Sequence, residues 1–375
     1  MANANGYARD LLLAASLVFK GSTPGVKVTP PAALRLCLDA SRPQILSSEI
    51  IEATGHVKDI KIKFRPRSRP GSSSDEYSCE ADEMRAYQEA SITSSLFRQK
   101  AIYFRYETIA KFTSEATVLR NAKGIPPRLG GFFQEVWDTI ASEANGFFSD
   151  IDIDIMTKLN LNWGVNQTNG VNTAKTVNFP LNGTNNDMTT GMTGIISDLA
   201  ANEMSNANVS ILGSGLIFNY YVQNFMKNAK SADQAGLNTS ALDMPKLYHD
   251  LNAASVLGSN NFGVIDMQSL QFLDLNATQG FQVDDFGTSV FFKMPYPIVD
   301  SEGNTTVINL DVQVKFIDCP TTLTDSYGNS QSVGKGVVVF LRKPFDIYVP
   351  PGAMYTFGDR LFQNNGTLLY HATNS

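Results

Sequence analysis

The chain has 375 residues, with 30 lysines and arginines against 36 aspartates and glutamates, so its formal net charge is −6. Only 18% of residues are charged, below the roughly 25% of ordinary globular proteins, while 43% are hydrophobic and the mean hydropathy is −0.13. These values exclude a disordered chain, a collagen and a coiled-coil rod, and the longest apolar run, residues 11–19, is far short of the ~17–25 residues that span a bilayer.

The net charge conceals a split. Residues 1–128 hold 19 of the cations and 13 acids, a balance of +6, and residues 129–375 hold 11 and 23, a balance of −12. A basic third on an acidic remainder is an electrostatic dipole suited to nucleic-acid contact, a membrane surface or self-association. Cys37, Cys79 and Cys319 stand far apart with no CxxC pair, which argues against a disulfide framework or a zinc site and for reduced thiols in a cytoplasmic setting.

The first fifty residues form an arm. Arg9 and the run 11–19 mimic a signal peptide, but Asp10 sits at its edge and no A-x-A site follows, so an amphipathic helix is expected. The Asn-x-Ser/Thr sites, Asn182, Asn238 and Asn304 among them, follow from an Asn- and Thr-rich composition. Pro24-Gly25 and Pro30-Pro31 then impose an extended path.

From residue 60 to 65, apolar Ile60, Ile62 and Phe64 alternate with basic Lys61, Lys63 and Arg65, a strand with one greasy and one cationic face. The stretch 65–74 breaks it as a polar tip, and Asp75, Glu76, Glu80, Asp82 and Glu83 follow. A second strand at 101–107, with Ile102, Phe104 and Tyr106 on one face, is the expected partner, making 55–110 a long hairpin.

The strongest helix follows. Leu129, Phe132, Phe133, Val136, Trp137, Ile140, Ala144, Phe147, Phe148, Ile151, Ile155 and Leu159 recur at helical spacing over a length on the order of 45 Å, with Gly146 a plausible kink. Loops or short strands are expected at 160–190, and helices at 191–205, 215–229 and 244–255, separated by the apolar run 209–212 and Gly213-Ser214-Gly215. The last third is β-rich: 308–316 alternates cleanly, 290–294 is its expected hairpin partner, and 337–341 and 367–370 are further strands.

Catalytic and cofactor motifs are not assembled. His56, His249 and His371 have no histidine or cysteine within four residues. Asp150, Asp152 and Asp154 resemble a calcium loop superficially, but Ile155 and Leu161 stand where glycine and glutamate are needed, and a solvated helix face is expected. Gly213-Ser214-Gly215 lacks the third glycine of a dinucleotide fingerprint, and the segment 328–336 places Gly336 after Lys335 where a phosphate loop requires Ser or Thr. No enzyme activity, cofactor or metal is expected. The basic run Lys58, Lys61, Lys63, Arg65, Arg67 and Arg69 can be a solvated strand face, a nucleic-acid patch or a protein contact. An arm of this kind laid on an acidic neighbouring copy makes a heterologous contact, which builds closed assemblies.

The order of arm, charged hairpin, long helix, central α/β region and returning β-strands resembles the Hong Kong 97-type major capsid protein of tailed bacteriophages. The segments that carry the resemblance most are 336–352 (GVVVFLRKPFDIYVPPG), Tyr355, 358–361 and 366–370, with 213–226 and 262–273 similar in layout to that family's axial domain. The resemblance implies an α+β capsid fold with an N-terminal arm at 1–50, an extended loop (β-hairpin) at 51–111, a peripheral domain at 112–180 and 331–375 carrying the spine helix, and an axial domain at 181–330. It further implies a non-enzymatic virion subunit, assembled in the host bacterial cytoplasm into hexamers and pentamers of an icosahedral head that encloses double-stranded DNA without reading its sequence. Its partners would be other copies of itself, a portal, and scaffold or decoration proteins, with no membrane. Lys58, Lys61, Lys63, Arg65, Arg67 and Arg69, with Ile60, Ile62 and Phe64, would be inter-subunit residues of the extended loop. Two alternatives remain open: an encapsulin-like nanocompartment shell, and a secreted β-rich binding protein.

Overall fold

Alternating and continuous apolar runs dominate the C-terminal half, and strands form there. In the computed structural model, residues 31–40, 45–54, 57–64, 88–94, 96–105, 131–164, 174–179, 188–202, 204, 208–215, 217–219, 245–267, 269–275, 282–283, 289–299, 305–317, 321–324, 328, 330–349, 355–357, 360–362 and 365–373 are described. In chain order the elements are α1 (Ala32–Asp39), β1 (Ile45–Thr54), β2 (Val57–Phe64), β3 (Gln88–Ser94), β4 (Phe97–Arg105), α2 (Gly131–Asn160), β5 (Lys175–Asn178), α3 (Met188–Ala201) and β6 (Val209–Gly213). There follow β7 (Lys246–His249), α4 (Ala253–Val256), β8 (Asn261–Asp266), β9 (Gln271–Asp274), β10 (Gln282–Val283), β11 (Ser289–Val299) and β12 (Thr305–Ile317). The last are β13 (Thr321–Thr324), β14 (Ser330–Val333), β15 (Gly336–Tyr348), β16 (Tyr355–Phe357), β17 (Arg360–Phe362) and β18 (Thr367–Thr373).

Three sheets organise the α+β chain. β1, β2 and β3 form an antiparallel sheet of their own. β10, β11, β12, β15 and β4 form the large sheet in that order, with β9 also paired to β15. The third runs β5-β18-β8-β6-β7, in which β5–β18 and β6–β7 are parallel pairs. Small hairpins join β13 to β14 and β16 to β17. Gly328, at φ +84°, takes the left-handed backbone between β13 and β14 that a bulkier residue adopts only under strain.

Among the described residues two large apolar cores form, with a small third cluster of Ile317, Val333, Val338 and Phe340 on β12, β14 and β15. The spine helix α2 packs Ala144, Phe147, Phe148, Ile151, Ile155 and Leu159 with α1 and the large sheet, where Val312, Val339 and Leu341 are buried. α3 packs Ile195 and Leu199 with Ile211, Val264, Leu368 and Tyr370 of the third sheet. A polar knot ties that second core: Asp198 of α3 accepts from Tyr370 Oη and from Lys175 Nζ, each at 2.6 Å.

The periodic segments fold as their patterns dictate. α2 covers the long amphipathic stretch without a break, and β11 pairs with β12 in the expected register, Val290 opposite Val314 and Met294 opposite Leu310. β15 extends the 337–341 run to thirteen residues because both edges of its first half are paired, by β12 and β4, and its second half by β9. β6 ends at Gly213 and helical residues resume at Gly215.

Two expectations are corrected. The partner of β2 is not the strand at 101–107: β2 lies between β1 and β3, while β4 pairs along its length with β15. Alternation identifies a strand but not its neighbour, and β3 (QEASITS) has too little apolar pattern to announce itself. The helix expected at 244–255 is a strand, β7, followed by the four-residue α4. Leu247 and Tyr248 suit either period over so short a run, and parallel pairing of β7 with β6 decides it.

Candidate inter-subunit interface

β2 carries the basic residues into the middle of the small sheet. Ile60 lies opposite Ile50 of β1 and Ile92 of β3, an apolar triplet across three strands, and its side chain is 1% exposed. The subunit itself therefore covers Ile60. Ile62 and Phe64 are in register with Ala90 and Gln88. Period two puts Asp59 and Lys61 on the other face, both half-buried, with Lys63 following. Lys58, by the same period, belongs to the Ile60 face.

The register also sets acids beside the bases. Glu49 of β1 is directly across from Lys61, and Glu89 of β3 is directly across from Lys63. Arg65, Arg67 and Arg69 lie outside the described residues, as do the acidic stretch 75–83, Tyr106 and the N-terminal segment 1–30. Ile102 and Phe104, expected to share the hairpin face, instead pack into the main core under β15.

Asp152 and Asp154 of α2 do not belong to a solvated face. Asp154 pairs with Arg98 of β4 through both guanidinium donors. Asp152 is 0% exposed and receives Leu34 N–H at 2.7 Å, with buried Asp250 beside it. A signal was present: Asp152 lies four residues after Phe148 and three before Ile155, inside the apolar stripe.

β15 brings charges inward too. Lys343, fully buried, donates to Asp274 and to the Asn309 carbonyl, the latter at 2.8 Å, and Lys158 of α2 pairs with Asp346. Burial lowers the pKa of Arg342 more than Asp311 raises it, and Arg342 Nε donates to Gln99 Oε1 at 2.7 Å. These side chains fasten β15 to β4, β9 and α2.

The histidines serve local packing. His249 stacks on Phe218, with ring centroids 4.8 Å apart, and His371 Nδ1 meets Asn261 Oδ1 at 2.7 Å; His56 lies outside the described residues. Burial, and then Asp152, hold the Cys37 thiol in its protonated form. Among the described residues no group of three His, Cys, Asp or Glu side chains could hold a metal ion, and no helix is long and apolar enough to cross a membrane.

No protein-family model and no curated protein matches the chain. Solved structures do resemble it. The cyanophage A-1(L) capsid asymmetric unit aligns at 10% identity over 93% of this chain and 94% of that one, with a TM-score of 0.41. The bacteriophage PhiM1 mature capsid aligns at 8% identity over 84% and 82%, TM-score 0.40. A Microbacterium phage Oxtober96 structure aligns at 8% identity over 94% of each chain, TM-score 0.39.

Proposed function

We propose that this chain is the structural subunit of a Hong Kong 97-type shell, packing as hexamers and pentamers of an icosahedral phage head around double-stranded DNA. The observation that carries the reading is the separate sheet β1–β2–β3. Among the described residues it shares no hydrogen-bonded strand with the other sheets, and β4 begins three positions after β3 ends. A three-stranded sheet held this way has little core of its own. The lysines of β2 and the arginines that follow it suit the acidic body of a neighbouring copy, and such a contact between unlike surfaces propagates around a ring.

The domain division goes with this proposal: arm at 1–50, extended loop at 51–111, peripheral domain at 112–180 and 331–375, axial domain at 181–330. Strands cross those boundaries, β12 pairing with β15 and β8 with β18, so the two larger parts are joined through continuous sheets. The inter-subunit role falls to Lys58, Lys61, Lys63, Arg65, Arg67 and Arg69 with Ile62 and Phe64, while Ile60 is buried within the subunit and anchors that strand. Portal, scaffold and decoration proteins, and assembly in the bacterial cytoplasm, belong to the same reading.

Size-exclusion chromatography with negative-stain microscopy tests it. Closed particles of many megadaltons are expected, and a discrete species at the 41.0 kDa chain mass would overturn the proposal. DNA inside marks a phage head, and protein cargo marks an encapsulin-like compartment. Reversing Lys61, Lys63 and Arg65 to glutamate together should abolish particles and leave a folded subunit; normal particles would remove the basic face from the interface.

A further inference from the structure

Helix α1 begins after Pro31, which offers no side-chain oxygen to cap it. Its first amides are instead received by two carboxyl groups distant in sequence. Ala32 and Ala33 N–H donate to Asp250 Oδ2 at 3.0 and 3.4 Å, and Leu34 N–H donates to Asp152 Oδ1 at 2.7 Å. Asp250 Oδ1 accepts from Asn252 N–H at 2.7 Å. Asp152 and Asp250 are 0% and 3% exposed.

Two buried carboxyl groups that receive consecutive amides of one helix cannot both keep their charge cheaply, even at a helix N-terminus. Asp152 Oδ2 has no hydrogen-bond donor. A proton placed on it and turned toward Asp250 satisfies that oxygen and removes the like-charge repulsion. Burial, then the hydrogen bond to Asp250 and its charge, push the Asp152 carboxyl up to about 9 from its ordinary 3.8.

We propose that Asp152 holds a proton directed at Asp250 and that the two together form an acid-set latch, which grips the N-terminal helix α1 while the proton is held and loosens as it is lost. The latch stands on this chain's own geometry and does not depend on shell assembly.

The surrounding groups leave the pair as the switch. On α1, Arg35 lies over the Tyr248 ring at 5.3 Å, Cys37 faces Asp152, and Asp39 is occupied at the far end by Lys246 and Tyr248 at 3.1 and 2.6 Å. On α2, Asp154 is turned to Arg98, and Ser149 Oγ receives Asn252 Nδ2 at 3.4 Å. At the end of β7, His249 packs on Phe218; on β9, Asp274 holds Lys343. β6 and α4 bring no ionisable side chain.

The sign follows from linkage. The docked state holds a proton that a water-exposed carboxyl has already lost at neutral pH. Docking is therefore fully supported below the ordinary carboxyl pKa and weakens as pH rises to about 9.

Hydrogen–deuterium exchange of the 32–37 amides in the full chain, corrected for intrinsic rates, tests the latch from about pH 6 to about pH 9. Protection should fall by up to about tenfold per pH unit. In Asp152→Asn an amide N–H replaces the carboxyl O–H and the acceptor for Leu34 is kept. That variant should show pH-independent protection, higher than the parent at the alkaline end. Flat protection in the parent, or an unchanged slope in Asp152→Asn, overturns the proposal. Infrared spectroscopy of the parent chain gives a readout free of any variant: a protonated-carboxyl band should persist at neutral pH, and its absence overturns the latch.

Discussion

The indole of Trp163 abuts the backbone of Gly263: a Cβ built on that glycine would stand 2.2 Å from Cη2 and 2.8 Å from Cζ3 of the ring. Trp163 follows directly on α2, is fully buried, and donates its Nε1–H to Asn160 Oδ1 at 3.0 Å. Gly263 sits in β8 between Leu212 and Leu369. The end of the spine helix is thus seated on the third sheet at a position that tolerates no side chain. Gly263→Ala should destabilise the chain by about 1–3 kcal/mol through overpacking, seen as a lower urea midpoint at unchanged slope; an unaltered midpoint would mean that the ring has room to move.

Lys158 and Asp346 give a second prediction. The Asp346 side chain is 1% exposed, and Oδ1 already takes Ile347 N–H at 2.7 Å. Lys158→Met leaves a buried carboxylate without its cation, a loss of roughly 3–5 kcal/mol for a pair of this kind. Adding Asp346→Leu should recover most of the loss, because the stranded charge then goes as well. Equal stability of the single and double variants in denaturant would contradict this account.

Gly146 offers a gain. It sits inside α2, and a Cβ there would meet only the Lys100 ammonium at 3.3 Å, the movable end of a side chain that also pairs with Glu143 at 2.5 Å. Gly146→Ala should therefore raise stability by about 1 kcal/mol from helix propensity alone. Thermal unfolding reads the shift, and a lower midpoint would show that Lys100 cannot yield.

The far end of α1 can be loosened separately from the latch. Tyr248→Phe removes the 2.6 Å hydrogen bond to Asp39 but leaves Lys246 in place. A hydrogen bond to a charged group contributes about 1.5–3 kcal/mol. Exchange protection of α1 should drop by roughly a factor of ten or more, with its dependence on pH retained; a flattened dependence would mean that the two ends are not independent.

Long periodic segments were legible in the sequence, and α2, β11, β12, β15 and β18 stand where their apolar patterns put them. Pairing was not legible. Nothing in the residues of β2 distinguishes β3 from β4 as its neighbour, since both follow it closely and partner choice is decided by what covers β15. The Asp152–Asp250 pair was half legible. Asp152 interrupts the stripe made by Phe148 and Ile155, which marks an unusual buried acid. Its partner is 98 positions away and comes near only because β7 runs parallel beside β6. The basic run was plain from composition, whereas Glu49 and Glu89 facing it became apparent only with the register.

The short passage at residues 95–96 has a mechanical consequence. β4 continues directly from β3 and is bonded to β15 from Phe97 opposite Pro344 to Arg105 opposite Gly336. A pull on the small sheet along the axis of β4 loads that whole ladder at once, in shear, and passes into β15, which is buried along nearly its whole length. A sideways pull peels the same ladder open one pair at a time. The molecule is therefore stiff to traction in one direction and compliant in the other.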